Sequence, residues 1–299
     1  MNVMPKWLLY SLLTALCFGV WGVLGKALER HSPFQTQAFS TLGILPIMAA
    51  IAVSLDWRGA ASNRRGSLYA FLAGLLVAVG NIAYYHALAL GGEASTASAF
   101  TALYPLTSVV LGFLVLGEKL RWVQVAGIVG SLGAMYLMGV NPGEPVSAWV
   151  GYALAPIGLW GGASVVMKVA TRHVSAEQAT FWFLGAFVPL AAVILAANWL
   201  ESLDRPIQWD LPAGDWTNVV LLGACYGVGN VFLLAAYRNE GKVSIVTPLT
   251  GLYTIVTIPL AILLLKEPVA GREWQWAGIA LALLSTVALS LEPNQGVAR

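Results

Sequence analysis

Polar side chains inside long apolar runs are the first places where this sequence offers chemistry. Asn81 and Asn230 each follow a glycine within such a run, and His86 lies five residues after Asn81. An amide taken out of water without a hydrogen bond costs roughly 2–7 kcal/mol. The two asparagines therefore either hydrogen-bond between helices or line a cavity, and both interpretations stay open.

Aromatic side chains accompany these polar groups at comparable depths in the runs. Their rings provide large, rigid contact areas, and their faces attract cations. Such walls suit a small molecule with an apolar side chain or a positive charge, although packing in the core or against lipid is an equally good interpretation for each residue alone. The candidate binding residues are Trp21, Asn81, Tyr84, His86, Tyr104, Trp160, Trp182, Tyr226, Asn230 and Tyr253.

The residue patterns of an enzyme are missing from the sequence. It contains no HExxH, CxxC or GxSxG motif and no Walker A motif, which removes the usual zinc, nucleophile and ATP sites. No carboxylate lies in the middle of an apolar run. We therefore expect a protein that is not an enzyme, that uses no metal or other cofactor and that does not hydrolyse ATP.

Composition indicates which elements position the candidate residues. Of the 299 residues, 58% are hydrophobic and 10% are charged, whereas an average soluble domain has about 25% charged residues. This composition excludes a soluble enzyme and a disordered chain, and a net charge of +2 is too small for binding nucleic acid. The expected partners are the lipid bilayer and a small-molecule substrate.

Ten apolar runs are long enough to cross a bilayer as helices, which takes about 20 residues each. The sequence therefore predicts an all-α membrane protein with ten transmembrane helices joined by short connections. The runs are 7–28, 36–55, 68–90, 95–116, 123–140, 149–170, 179–197, 216–237, 243–265 and 274–291.

Basic residues are distributed unequally between the two ends of these runs. An even number of crossings puts both termini on one side, and that side collects eleven of the sixteen Lys and Arg residues. The positive-inside rule then places both termini of this multi-pass membrane protein in the cytoplasm. The acidic 198–215 connection would face outward.

The chain contains two copies of one pattern. We expect residues 1–141 to form a first five-helix repeat and residues 142–299 a second. Because five is odd, the second copy enters the membrane from the opposite side, which predicts two inverted repeats around a central cavity. The matched pairs include Gly19 with Gly161, Arg30 with Arg172, His31 with His173, Gly80 with Gly229, Asn81 with Asn230, Tyr104 with Tyr253 and Glu118 with Glu267.

The end of each copy has a recognisable pattern: Tyr followed by Pro or Thr, an apolar run, Glu, a short linker and Gln-x-x-Gly-Ile. This duplicated pattern resembles the EamA-type repeat of the drug/metabolite transporter superfamily, and it is similar to the branch of aromatic and neutral amino-acid exporters. The residues that carry the resemblance are Tyr104, Pro105, Glu118, Gln124, Gly127 and Ile128, then Tyr253, Thr254, Glu267, Gln275, Gly278 and Ile279.

The resemblance implies a secondary transporter that exports amino acids or related small metabolites across the inner membrane by alternating access. The alternative is an exporter of lipophilic cationic drugs. Since both repeats lie in one chain, a monomer is expected. His86 corresponds to Ala235 in the second copy. It is therefore interpreted as a cavity residue, as a carrier of protons for antiport or as a packing residue.

Residues at the ends of the runs are expected to be structural. Lys26 and Lys168 should extend toward the membrane surface, or else bind a substrate carboxylate. Glu118 and Glu267 should pair with Lys119, Arg121 or Arg272. Tryptophans at run ends are expected to be interfacial anchors, namely Trp7, Trp57, Trp122, Trp149, Trp216 and Trp274.

Overall fold

The computed structural model describes residues 4–55, 63–116, 120–139, 146–239, 246, 249–268 and 273–291. Within these ranges, all regular structure is helical. The helices are α1 (Lys6–Ala27), α2 (Pro33–Ser54), α3 (Arg64–Ala89), α4 (Ala94–Thr101), α5 (Pro105–Leu116), α6 (Trp122–Gly139), α7 (Ala148–Ala170), α8 (Ala176–Gly185), α9 (Phe187–Trp199), α10 (Ala213–Arg238), α11 (Thr254–Leu265) and α12 (Glu273–Ser290).

Eight segments of the described chain are long and apolar enough to cross a membrane. They are α1, α2, α3, α4 with α5, α6, α7, α8 with α9, and α10. Two shorter apolar helices cover Leu249–Leu265 and Glu273–Leu289. The all-helical membrane class is confirmed. The helices begin and end within a few residues of the predicted runs, except that α11 begins eleven residues into the ninth run.

Three of the predicted runs are interrupted, and two of the breaks lie at a proline. α4 ends at Thr101 and α5 begins at Pro105, where a missing N–H costs nothing at the first helical position. α8 ends at Gly185. In a continuous helix the Gly185 carbonyl would accept a hydrogen bond from the N–H of residue 189, but Pro189 has no N–H. α11 begins at Thr254, so the break before it is kept where the second copy lacks the proline.

Contacts between the first half (residues up to 139) and the second half (residues from 146) come in matched pairs. α1 packs along α10, and its counterpart α7 packs along α3. α1 also contacts α11, just as α7 contacts α5, while α6 and α12 pack on each other. Each half therefore contacts the other through corresponding helices.

Glycine makes the closest of these contacts. A Cβ atom added to Gly19 would lie 2.5 Å from Cβ of Val256, and one added to Gly161 would lie 2.5 Å from Cβ of Thr107. Val256 and Thr107 occupy matched positions, 149 residues apart. Small residues let helix backbones approach this closely. The same reciprocity holds for Gly80 with Trp160 and Gly229 with Phe18, and for Gly127 with Leu289 and Gly278 with Met138.

The tryptophans at run ends differ in their exposure and contacts. Trp122 and Trp274 are largely exposed, as expected. Trp149 is only 8% exposed and its ring lies 5.6 Å from that of Phe100, while Trp216 stacks on Phe39. These two tryptophans therefore pack on neighbouring helices, because position along a helix does not determine which face a residue occupies. Trp57 lies outside the described residues.

Candidate functional site

A cluster of five aromatic residues forms where α1, α3, α7 and α10 meet. Trp21, 4% exposed, lies at its centre, with ring centroids 5.0 Å from Tyr84, 6.1 Å from Tyr85, and 6.0 Å from both Trp160 and Tyr226. Ring pairs at these separations attract one another. Because α1 and α3 belong to the first half and α7 and α10 to the second, this central aromatic cluster joins the halves.

Hydrogen bonds fix the orientation of several cluster rings. The Trp21 Nε1–H donates to the Tyr85 hydroxyl at 3.1 Å, and the Trp160 Nε1–H donates to the Val77 carbonyl at 3.3 Å. The Tyr84 hydroxyl lies 2.9 Å from the Ser98 hydroxyl on α4. Aromatic side chains with partnered polar atoms form a rigid wall rather than a mobile one.

The two tyrosines at the helix breaks extend this wall. The Tyr104 ring lies edge-on to Trp160 at 6.3 Å. The Tyr253 hydroxyl donates to the Ser98 carbonyl at 3.3 Å, so Tyr253 reaches Tyr84 through the same serine. Matched hydroxyls also join the halves: Ser108 donates to the Gly161 carbonyl at 3.1 Å and Thr257 to the Gly19 carbonyl at 3.2 Å.

The matched asparagines have different surroundings. The Asn230 amide donates to the carbonyl of Tyr226 on its own helix at 2.9 Å. The equivalent carbonyl of the first half, on Val77, receives the Trp160 indole instead. The Oδ1 atom of Asn81, a residue 2% exposed, has no hydrogen-bond partner among the described residues. Asn81 therefore retains an unused acceptor, whereas Asn230 bonds to its own helix.

His86 and Trp182 lie apart from the cluster and from the tyrosines that extend it. The His86 ring stacks on Tyr152 at 5.0 Å, touches Phe34 at 5.4 Å, and bonds through Nδ1 to the Ile82 carbonyl at 2.9 Å. Trp182 packs beside Phe181 and against a small group of alanines. The structure thus brings together Trp21, Tyr84, Tyr104, Trp160, Tyr226 and Tyr253, and places His86 and Trp182 elsewhere.

Tyr85 belongs to the cluster although it was not among the candidates. Adjacent helical residues point in different directions, so the sequence favoured one of Tyr84 and Tyr85. The available signal was Gly25, four residues after Trp21 on the same face of α1. A Cβ atom added there would lie 3.3 Å from Tyr85 and 3.5 Å from Tyr84, so Gly25 leaves room for both rings.

Glu267 stabilises a helix terminus instead of pairing with a described basic side chain. Its carboxylate accepts the backbone N–H groups of Ala94 and Ser95, the latter at 3.1 Å. These groups begin α4, where a negative charge is favourable. This contact joins the second half to the first. Two of the predicted partners, Lys119 and Arg272, lie outside the described residues, and so does the matched glutamate, Glu118.

A charged site lies where α1 ends and α10 begins. The Asp215 carboxylate, in a residue 5% exposed, accepts a hydrogen bond from Arg30 and lies 2.7 Å from Nε2 of His31. A cavity of about 350 Å³ opens beside them. The cavity is lined by Arg30, His31, Gln208, Asp210, Leu211, Pro212 and Asp215.

The charged site has no equivalent at the matched place. The Arg-His pair recurs as Arg172 and His173, but Gly66 stands 149 residues before Asp215. A Cβ atom added to Gly66 would lie 2.7 Å from Cβ of His173. The second pair therefore meets a glycine where the first meets a carboxylate.

Asp215→Asn is expected to lower the free energy of unfolding by about 1–3 kcal/mol, because it weakens charge-assisted hydrogen bonds to a buried carboxylate. Thermal unfolding of the detergent-purified protein would show this as a fall of about 2–4 °C per kcal/mol. The control is Asp210→Asn, an exposed carboxylate of the same cavity. Equal shifts in the two variants would contradict the assignment.

Sequence comparisons give this arrangement its context. The profile of the EamA-like transporter family matches residues 5–140 and again residues 147–291. The aromatic amino acid exporter YddG of Salmonella typhimurium is 28% identical over 188 residues, which is 58% of this chain and 60% of that exporter. An uncharacterized protein of Methanocaldococcus jannaschii is 26% identical over 136 residues, 45% of this chain and 96% of that protein. The alignment thus spans three fifths of the exporter's length.

The fold is also shared with a solved protein. A crystal structure described only as that of a protein aligns with 98% of this chain and 100% of its own, with a TM-score of 0.64 and 21% identity. At this identity the likeness shows the fold alone. The two family matches cover nearly all of the sequence, in agreement with the duplicated pattern. The chain belongs to the EamA-like transporter family.

Proposed function

We propose that this protein is a secondary transporter that exports amino acids across the inner membrane, with a preference for aromatic and other neutral amino acids. Membership of the EamA-like family supports membrane transport of small metabolites. The observation that carries the finer proposal is the central aromatic cluster, with Trp21 in ring contact with four other aromatic residues. Rigid ring faces bind a planar or apolar side chain without having to become ordered first.

The proposed architecture is ten crossings in two inverted repeats, with both termini in the cytoplasm. The reciprocal contacts of Gly19 with Val256 and Gly161 with Thr107 support it. Two copies of opposite orientation can exchange conformations, which opens a cavity between them to one side and then to the other. Since one chain supplies both copies, we infer that a monomer is the transporting unit.

The likeness to the exporter YddG supports the substrate class. Lipophilic cations are the alternative substrates, because aromatic faces attract them as well. The two classes differ in one chemical respect: a neutral amino acid carries a carboxylate beside its ammonium group. A transport assay that offers both classes therefore separates the two functions.

The experiment is uptake of radiolabelled solutes into proteoliposomes that contain the purified protein. We expect saturable uptake of phenylalanine and tryptophan, weaker uptake of lysine and glutamate, and none into protein-free liposomes. Uptake of tetraphenylphosphonium without any amino-acid uptake would contradict the proposal and favour the drug exporter. Unlabelled phenylalanine on the opposite side should accelerate labelled uptake, because an alternating carrier exchanges its substrate.

The same assay with a pH gradient tests the role of His86. We expect His86→Ala to respond to the gradient as the native protein does, because the His86 ring contacts Tyr152 and Phe34 rather than the central aromatic cluster. A gradient that stimulates uptake by the native protein but not by His86→Ala would instead make His86 the carrier of the coupled proton. Alanine is chosen because Ala235 is the residue that corresponds to His86 in the second copy of the pattern.

A further inference from the structure

Gln37 on α2 is a buried amide without partners. It is 1% exposed, and neither its Nε2 nor its Oε1 atom has a hydrogen-bond partner among the described residues. Buried polar atoms are almost always paired, so each exception calls for a physical explanation. The amide offers one donating and one accepting group that the described residues do not use.

Gln35, two residues earlier, provides the contrast. It is 2% exposed, and both ends of its amide bond to the backbone of Gln208, with Nε2 donating to the carbonyl at 3.1 Å and Oε1 accepting from the N–H at 3.0 Å. A glutamine that is equally buried therefore has both ends of its amide hydrogen-bonded when its role is structural. Gln37 has no such role within the described chain.

The neighbours of α2 indicate where the Gln37 side chain points. Phe34, one turn before it, contacts His86 on α3, while Ser40 and Gly43, one and two turns after it, contact α10. With 3.6 residues per turn, Gln37 lies between these two faces. The amide therefore leaves α2 between α3 and α10, the helices that carry Tyr84, Tyr85 and Tyr226.

Asn81 supplies a second unused polar atom beside the same rings. Its Oδ1 has no partner among the described residues, and it lies one turn before Tyr84 and Tyr85 on their face of α3. Gln37 and Asn81 together offer one donating group and two accepting groups that the described residues do not use, and they lie on α2 and α3, which contact each other. A carboxylate needs donors, and an ammonium group needs acceptors.

We propose that Gln37 determines substrate specificity by binding the zwitterionic head group of the transported amino acid. Its Nε2–H donates to the substrate carboxylate, and its Oε1, together with Asn81 Oδ1, accepts from the ammonium group, while the side chain of the substrate packs on the central aromatic cluster. This inference rests on the proposed function. A site that hydrogen-bonds a head group rejects analogues that lack it, because its own polar atoms then stay unpaired.

The first test compares stability in the absence of substrate. Gln37→Leu is expected to leave the thermal midpoint unchanged or to raise it, because it removes unpaired polar atoms, whereas Gln35→Leu should lower it by about 5 °C by breaking two hydrogen bonds. Gln37→Met, which is unbranched, is a second variant in case leucine does not fit. A fall in both Gln37 variants as large as that of Gln35→Leu would overturn the proposal.

The second test measures recognition of the head group in proteoliposomes. Labelled phenylalanine uptake is competed with phenethylamine, which lacks the carboxylate, and with 3-phenylpropionate, which lacks the ammonium group. In both Gln37 variants, the half-saturation concentration for phenylalanine should rise about tenfold, the effect of about 1.4 kcal/mol, and the preference over the two analogues should fall equally. Unchanged values in the variants, with native uptake intact, would overturn the role of Gln37 alone. Absence of phenylalanine uptake by the native protein would overturn the proposed function as well.

Discussion

Gly223→Ala is expected to lower the free energy of unfolding by roughly 3 kcal/mol or more, the upper range for overpacking of a core. A Cβ atom at this position would lie 1.7 Å from the carbonyl oxygen of Ser40 and 2.8 Å from its carbonyl carbon. Both are backbone atoms, so no side-chain rotation relieves the overlap. α2 and α10, the helices that carry Gln37 and Tyr226, would have to separate.

The measurement is thermal unfolding of the detergent-purified protein, followed by intrinsic fluorescence and by elution as a single species. Gly158→Ala is the matched control, because it lies in α7 and has no atom within 4 Å of an added Cβ. There alanine should stabilise the helix by up to about 1 kcal/mol. A Gly223→Ala protein as stable as this control would show that α2 and α10 do not pack as described.

These glycines illustrate how far the sequence predicts the fold. The all-helical membrane class and the approximate bounds of most helices follow from hydropathy, because hydropathy reflects local composition. Which glycines lie at a contact does not follow. Gly158 and Gly161 are one turn apart on α7, yet an added Cβ meets nothing at Gly158 and lies 2.5 Å from Thr107 at Gly161. The difference is set by the neighbouring helix, which the local sequence does not specify.

The same limit applies to the candidate site. Deep aromatic residues such as Trp21 and Trp160 can be predicted because the distance of a residue from the ends of its apolar run is read directly from the sequence. His86 was named for its chemistry, but the face of α3 it occupies turns it toward Tyr152. Gln37 could not be predicted, because it differs from Gln35 only in having no hydrogen-bond partner among the described residues. Pairing is a tertiary property.

Trp21→Ala is expected to reduce phenylalanine uptake at least tenfold per molecule of folded protein. The substitution removes the ring that contacts Tyr84, Trp160 and Tyr226 together, and the remaining rings collapse or admit water. Large-to-small replacement of a buried aromatic residue also costs roughly 3–5 kcal/mol of stability. Uptake must therefore be normalised to the amount of protein that elutes as a single species.

Two variants separate loss of the binding wall from loss of stability. Trp21→Phe keeps a ring but removes the donor to Tyr85, so stability should fall by about 1 kcal/mol while the half-saturation concentration rises severalfold. Trp182→Ala removes a half-buried tryptophan outside the cluster, and should lose stability without changing the half-saturation concentration. If Trp182→Ala weakened substrate binding as much as Trp21→Phe, the cluster could not be the binding wall, because both effects would then follow from stability alone.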